Sequence, residues 1–317
     1  MRKKIGVFFL LLVLCLQILA GCAPVPKQED GKNRIQVVAT LFPQYDFARA
    51  IAGDRAEVTL LLPPGVESHS FEPTPADIMK INACDLFVYT GKYMEPWAEK
   101  IIAGMSGNGK ALDVSQGITL DAEEETHEEQ GEHEHHEDHD HGGFDPHIWT
   151  DPQNAKIMVQ NIADALSQAD EPNRAYYQSN AQNYLAQLDA LDAQLQEIVT
   201  TAKRREIVFG GRFALHYFAK RYGIQYVAAF DSCSSETEPS VRVITQIIDE
   251  IREKQIPVIF YEELTDPKVS RAIAEDTGIK MLMLHSCHNV SRKELQNGAT
   301  YLSIMEQNAK NLKEGLN

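Results

Sequence analysis

The sequence predicts an α/β fold: two Rossmann-like lobes, each a parallel sheet covered by helices, joined by a long rigid helix. Three observations predict it. Short apolar runs alternate with helical patterns in both halves of the chain, the middle runs from Asn173 to Glu206 without a glycine or proline, and 317 residues are enough for about two domains of ordinary size.

In the first half, Ile35 to Thr40, Val58 to Leu62 and Leu86 to Tyr89 are short apolar runs bounded by turn residues. They are expected as buried strands. Between them, a first helical pattern presents Phe47, Ala50 and Ile51 on one face. A second begins at Thr74-Pro75, a cap followed by proline at the first helical position, and carries Ile78, Met79 and Ile81. Strand alternating with helix implies a parallel sheet covered on both faces.

The second half repeats the pattern. Ile207 to Phe209, Tyr226 to Phe230, Val258 to Tyr261 and Met281 to Leu284 are expected strands. Helices are expected near Phe213 to Tyr222, Ser240 to Lys254 and Lys268 to Thr277. In the joining stretch of thirty-four residues, Tyr184, Leu188, Leu191, Leu195 and Ile198 recur at helical spacing and give one apolar face. At 1.5 Å per residue such a helix runs roughly 45 to 50 Å, longer than one lobe is wide. Two shorter helices with a bend are the alternative, but nothing in the stretch breaks it. The expected division is a first lobe over 34–170, a linking helix over 171–206 and a second lobe over 207–317, with small hinge motion.

The chain opens with an address. Met1 to Gly21 has a basic start, an apolar run from Ile5 to Ile18 and small residues at its end, the three parts of an export signal. Leu19-Ala20-Gly21-Cys22 resembles the bacterial lipobox, which implies that Cys22 is diacylated and becomes the new amino terminus; a plain secretory peptide is the alternative. Residues 22–33, with Pro24, Pro26 and Gly31, are expected as a flexible tether. The expected location is extracytoplasmic, on the cell membrane through the lipid on Cys22. Outside the cytoplasm two of the three remaining cysteines can pair. Cys233 and Cys287 each follow an expected strand and are the candidate disulfide, against the alternative of buried free thiols.

The formal net charge is −16, from 46 acids against 30 bases. That balance argues against nucleic acid, whose binders need a basic face. It favours cations. Asp121 to His141 holds eleven Asp or Glu, six His (His127, His133, His135, His136, His139, His141) and no Lys or Arg. With almost nothing apolar to bury, the tract is expected as a surface loop that gathers several metal ions weakly. A solvated acidic loop with no metal role is the bland alternative.

A specific site needs residues from separate loops, and in doubly wound sheets ligands sit outside the carboxyl ends of the strands. His69, His147, His216 and His285 all follow expected strands or lie within a turn of such loops, and His288 is three residues further on. Zinc takes about four N, O or S ligands, and neutral imidazole is among the best. The expected set is therefore His69 and His147 from the first half with His216 and His285 from the second, and His288 in reserve. A site with no protein carboxylate favours zinc over manganese. Glu72, Asp145 and Glu236 are candidates to orient the rings from behind.

The segments PPGVESHSFEPTPADI, DPHIWTDPQNA, SSETEPS and LHSCHNVS, in that order, resemble the zinc and manganese class (cluster A-I) of solute-binding lipoproteins that serve ABC uptake transporters. The resemblance covers nearly all of the chain beyond the tether. It implies two α/β lobes joined by a long helix, one transition-metal ion in the cleft and, in zinc members, a His-rich acidic loop before the second ligand; zinc is the expected ion, and the chain is expected as a monomer whose partners are a permease and its ATPase. His69 and His147 match the family's first two ligands. Where the third usually stands, VFGGRFALHYF places Arg212, which stays protonated and cannot ligate. His216, four residues on and hence on the same helical face, is the expected substitute; the alternative is a packed His216 with a water or a loop histidine completing the site. The family's fourth ligand, often an acid, aligns with His285.

An exported zinc hydrolase is a competing function, but no HExxH run or nucleophile elbow is present. A surface zinc-buffering or adhesive lipoprotein is the other, separated from uptake by a neighbouring permease gene rather than by residues.

Overall fold

In a computed structural model of the protein, residues 34–105, 109–122, 143–230 and 239–317 are described. Strands β1 (Ile35–Ala39), β2 (Ala56–Leu60), β3 (Leu86–Tyr89) and β4 (Lys110–Asp113) form a parallel sheet in the order β2-β1-β3-β4. Strands β5 (Glu206–Arg212), β6 (Gln225–Phe230), β7 (Val258–Tyr261) and β8 (Lys280–Met283) form a second parallel sheet in the matching order β6-β5-β7-β8. In each sheet the chain reverses its direction of growth beside the first strand, at β1/β3 and β5/β7, where loops diverge and leave room for a ligand. Strand β4 is absent from the sequence expectation because its four residues, KALD, include only one large apolar side chain. It pairs only with β3, and Lys110 and Ala111 face solvent, so no apolar run marks it.

The helices are α1 (Phe42–Ala52), α2 (Pro75–Ala83), α3 (Ala98–Gly104), α4 (Pro152–Ala169), α5 (Arg174–Thr201), α6 (His216–Tyr222), α7 (Val241–Lys254), α8 (Lys268–Thr277), α9 (Arg292–Gln296) and α10 (Tyr301–Gly315). Thr74 caps α2 in a reciprocal box with Asp77, and Asp151 caps α4 by accepting from the Gln153 amide at 2.8 Å. Two residues assigned to apolar faces are in fact outside. Ala50 is exposed on α1, and Met79 is 73% exposed on α2, where Ile81 alone is fully buried. A short helix lying over a sheet needs only a narrow stripe, so the flanking positions of the pattern stay wet.

Helix α5 is unbroken over 28 residues, about 42 Å at 1.5 Å per residue. It is shorter than the expected stretch because a 3₁₀ turn at Glu171–Asn173 precedes it and Ala202 turns extended after it. Its five spaced apolar residues, Tyr184, Leu188, Leu191, Leu195 and Ile198, are all buried. The helix packs on α1 and α4 from the first half and on α10 from the second. One apolar cluster accordingly runs from Val37 and Phe47 through Tyr184 and Leu188 to Phe209, Phe260 and Tyr301. Gly210 in β5 allows α8 to close on this sheet, since a Cβ there would lie 2.9 Å from the Ser270 Cα.

Cys84 and Cys287 are free buried thiols. Cys233, the proposed partner of Cys287, lies outside the described residues, as do Cys22, Glu236 and the six histidines between 127 and 141. Among the described residues no helix is long and apolar enough to cross a membrane.

Candidate metal centre

Three histidines meet where the two sheets' loops converge. His69 ends the loop that follows β2, His147 stands before the 3₁₀ turn Ile148–Thr150 that leads into α4, and His288 lies in the segment after β8. One ring nitrogen from each lies within 4.8 Å of the other two. The ring centroids are 5.3 Å apart for His69 and His147, 5.2 Å for His69 and His288, and 4.3 Å for His147 and His288. The Trp149 ring flanks His147 at 5.6 Å and His288 at 5.2 Å, and its Nε1 donates to the Ser286 carbonyl at 2.7 Å.

Each buried ring is turned by a carboxylate. His147 is fully buried, and its Nδ1 bonds Asp145 Oδ1 at 2.8 Å while its backbone amide donates to the same oxygen. An Nδ1 proton given to a carboxylate leaves Nε2 with a free lone pair. That Nε2 faces His69 Nε2 at 3.3 Å. Burial disfavours the charge on Asp145, but His147's ring and its hydrogen bonds outweigh it and hold the carboxyl below the usual range. Asp145 thus stands directly behind the His147 ring.

His288 is turned by a relay. Its Nδ1 stands 2.5 Å from Ser286 Oγ, and the Ser286 hydroxyl donates to Glu263, whose other oxygen accepts from the Ser286 amide at 2.8 Å. A carboxylate can only accept, so the proton order runs from His288 Nδ1 to Ser286 to Glu263 and leaves His288 Nε2 bare. Nε2 is enclosed and has no hydrogen-bond partner among the described residues. Burial, reinforced by the neighbouring His147, His69 and His285, holds the His288 imidazole well below its ordinary pKa and therefore neutral. Beside His69, Glu67 accepts from the His69 and Ser70 amides at 2.9 and 2.8 Å. Burial raises the Glu67 carboxyl, but these bonds and His69 outweigh it and bring it below the ordinary value.

The other two expected ligands lie elsewhere. His216 is the first residue of α6, and its Nε2 points to Asp121 Oδ2 at 3.3 Å, at the root of the acidic tract. Strand β5 runs on to Arg212 and three further residues intervene, so a register reckoned as one helical turn from Arg212 does not apply: 212 is strand, not helix. The Arg212 guanidinium lies 5.8 Å over the Phe230 ring. His285 is buried, but the Cys287 amide donates to its Nδ1 at 2.9 Å. A ring nitrogen that accepts carries no proton, so in the neutral ring the proton sits on Nε2, which cannot then offer a lone pair. Glu72 is exposed and makes none of the bonds that Asp145 and Glu263 make. Glu263 and Ser286 are the residues sequence reasoning missed. Their signal was topological: a carboxylate closing β7 stands beside whatever follows its parallel neighbour β8.

Three imidazoles whose ring nitrogens lie within 4.8 Å of one another match the preference of zinc for nitrogen donors and supply three of its four tetrahedral positions. The family model described as ZnuA, zinc-uptake complex component A, periplasmic, matches residues 37–315. The chain belongs to that family. It is 35% identical over 318 residues to the high-affinity zinc uptake system protein ZnuA of Bacillus subtilis, with 99% of this chain and 98% of that protein covered. It is 33% identical to the zinc-binding lipoprotein AdcA of Streptococcus pneumoniae, spanning 98% of this chain but 61% of that longer protein. Among solved structures, the Zn(II)-bound ZnuA-like domain of Streptococcus pneumoniae AdcA superposes with a TM-score of 0.74 at 27% identity, over 89% of this chain and 99% of that one. ZnuA-family membership agrees with the two-sheet architecture and its long helix.

Proposed function

We propose that the protein captures a zinc ion through His69, His147 and His288 outside the cytoplasm and hands it to the permease of an ABC uptake system. The observation that carries this reading is the triad itself: three ring nitrogens within 4.8 Å of one another, two of them exposed by carboxylates behind the ring. Zinc is cargo here, and the chain is a solute-binding component rather than an enzyme. Membership of a zinc-uptake family supports zinc over manganese.

The remaining parts follow the same reading. Residues 1–21 serve export, Cys22 carries the lipid anchor, 22–33 is the tether, and the first and second halves act as lobes over 34–170 and 207–317. The histidines of 127–141 gather zinc weakly without forming the tight site, and the chain acts as a monomer with the permease and its ATPase. Calorimetric titration tests the core of this. The wild-type chain should bind one zinc tightly, and His147→Ala should lose that ion; equal binding by both would remove the triad. Deletion of 121–141 should lower the stoichiometry and keep the tight ion. Cys22→Ala should move the protein from the membrane fraction to the soluble one.

A further inference from the structure

We infer that Asn289 is a positioning residue that fixes the distance between the His69 loop and the His288 segment, so that the triad is spaced before zinc arrives. The inference rests on the reading of the three histidines as the zinc site. Asn289 follows His288 directly and is 1% exposed. Its Nδ2 donates to the Pro63 carbonyl at 2.8 Å and to the Val66 carbonyl at 2.9 Å, and its Oδ1 accepts from the Val290 amide at 2.8 Å. Both amide protons are thus spent on the loop that leads to His69, from a side chain more than two hundred residues away in sequence.

The loop supplies few donors of its own, the Val66 amide giving to the Pro63 carbonyl at 3.1 Å. Pro63 and Pro64 have no N–H to give, and Gly65 turns the chain with a φ of +84°. The Gly65 amide leaves the loop to bond the Val290 carbonyl at 2.9 Å, beside the Asn289 clasp. On the other side, Cys287 is held at a φ of +65°, a conformation costly for a residue with a Cβ, and the Phe42 amide donates to the His288 carbonyl at 3.3 Å. A strained segment and a proline loop are therefore tied to each other by the Asn289 carboxamide, beside the backbone bond from Gly65 to Val290. Ligands ordered in advance spare the ion the cost of ordering them, and release requires those bonds to open first.

The test compares Asn289→Asp and Asn289→Ala with wild type in the full chain. Aspartate keeps the size and the acceptor for Val290 but cannot donate to the two carbonyls; alanine removes both functions. Zinc release into excess chelator, followed by stopped flow, should accelerate about tenfold or more in both variants. In the zinc-free protein, hydrogen exchange of the amides from Gly65 to His69 should quicken in both. If only the alanine variant changes, Asn289 merely fills space and the inference is overturned. If release and exchange match wild type in both, it is overturned as well. A wild-type chain that retains no zinc while its exchange still responds to Asn289→Asp would instead sink the zinc reading, and the functional role of the clasp with it.

Discussion

The two halves of the molecule prepare their imidazoles by different routes. In the first half the device is local: Asp145 lies two residues before His147 and holds both its ring and its amide. In the second half it is long-range, because His288 is set by Ser286, and Ser286 by Glu263 from the loop after β7. The difference teaches that a ligand is defined by which ring nitrogen has lost its proton, and only some of the residues that decide this are near in sequence. His285 shows the converse. It stands three residues from His288, yet one backbone amide at its Nδ1 fixes the wrong tautomer for binding.

The largest effect that would break this comparison is on zinc affinity. His288→Ala and His147→Ala should each cost orders of magnitude in a competition titration, whereas His285→Ala and His216→Ala should leave affinity within about tenfold of wild type, the lower end of what outer partners contribute. A large loss for His285→Ala would reverse the tautomer argument. Next, Asp145→Asn and Ser286→Ala should each weaken zinc by about ten- to a hundredfold. If only the first does so, the relay through Ser286 is unimportant and the halves are not equivalent.

Acidity sharpens the contrast further. His288 is held neutral in the fold, so the unfolded chain takes up its proton first, and the stability this contributes is complete above the ordinary imidazole pKa and lost as pH falls below about 6.5. Thermal melts of zinc-free protein from pH 7 to 5 should show a decline that is shallower in His288→Ala. Glu95 works in the opposite direction. Burial, against hydrogen bonds from Thr40 and Thr90, pushes its carboxyl up to about 8. The folded state therefore binds this proton more tightly, with stability full below the ordinary carboxyl pKa and lost as pH rises through about 8. The smallest expected effect is a flatter melting profile between pH 6 and 9 for Glu95→Gln. Equal slopes in variant and wild type would mean that Glu95 is already ionised.

Much of this architecture was legible in the sequence, and the reasons for the rest are physical. Seven of the eight strands carry an apolar run that announced them, while β4, whose sequence KALD has exposed Lys110 and Ala111, carries none. The face of α5 was readable because helical spacing survives over many turns. His69 and His147 were readable because each closes a loop next to an evident element. His216 stands apart from the three converging rings because β5 runs on to Arg212, so a spacing of four from that residue does not keep one helical face. His285 and His288 could not be ranked without backbone, since the ranking depends on where the Cys287 amide points. Glu263 was hidden because pairing of β7 with β8 is a property of the sheet and not of either strand.

The apolar cluster that passes from β1 through α5 to α10 makes the two sheets thermodynamic dependants of each other. Heat or denaturant should then remove them together in one cooperative transition, and a cavity cut under Leu188 should be felt at histidines in either sheet. In such a body the loops at the rim can yield while the interior stays shut.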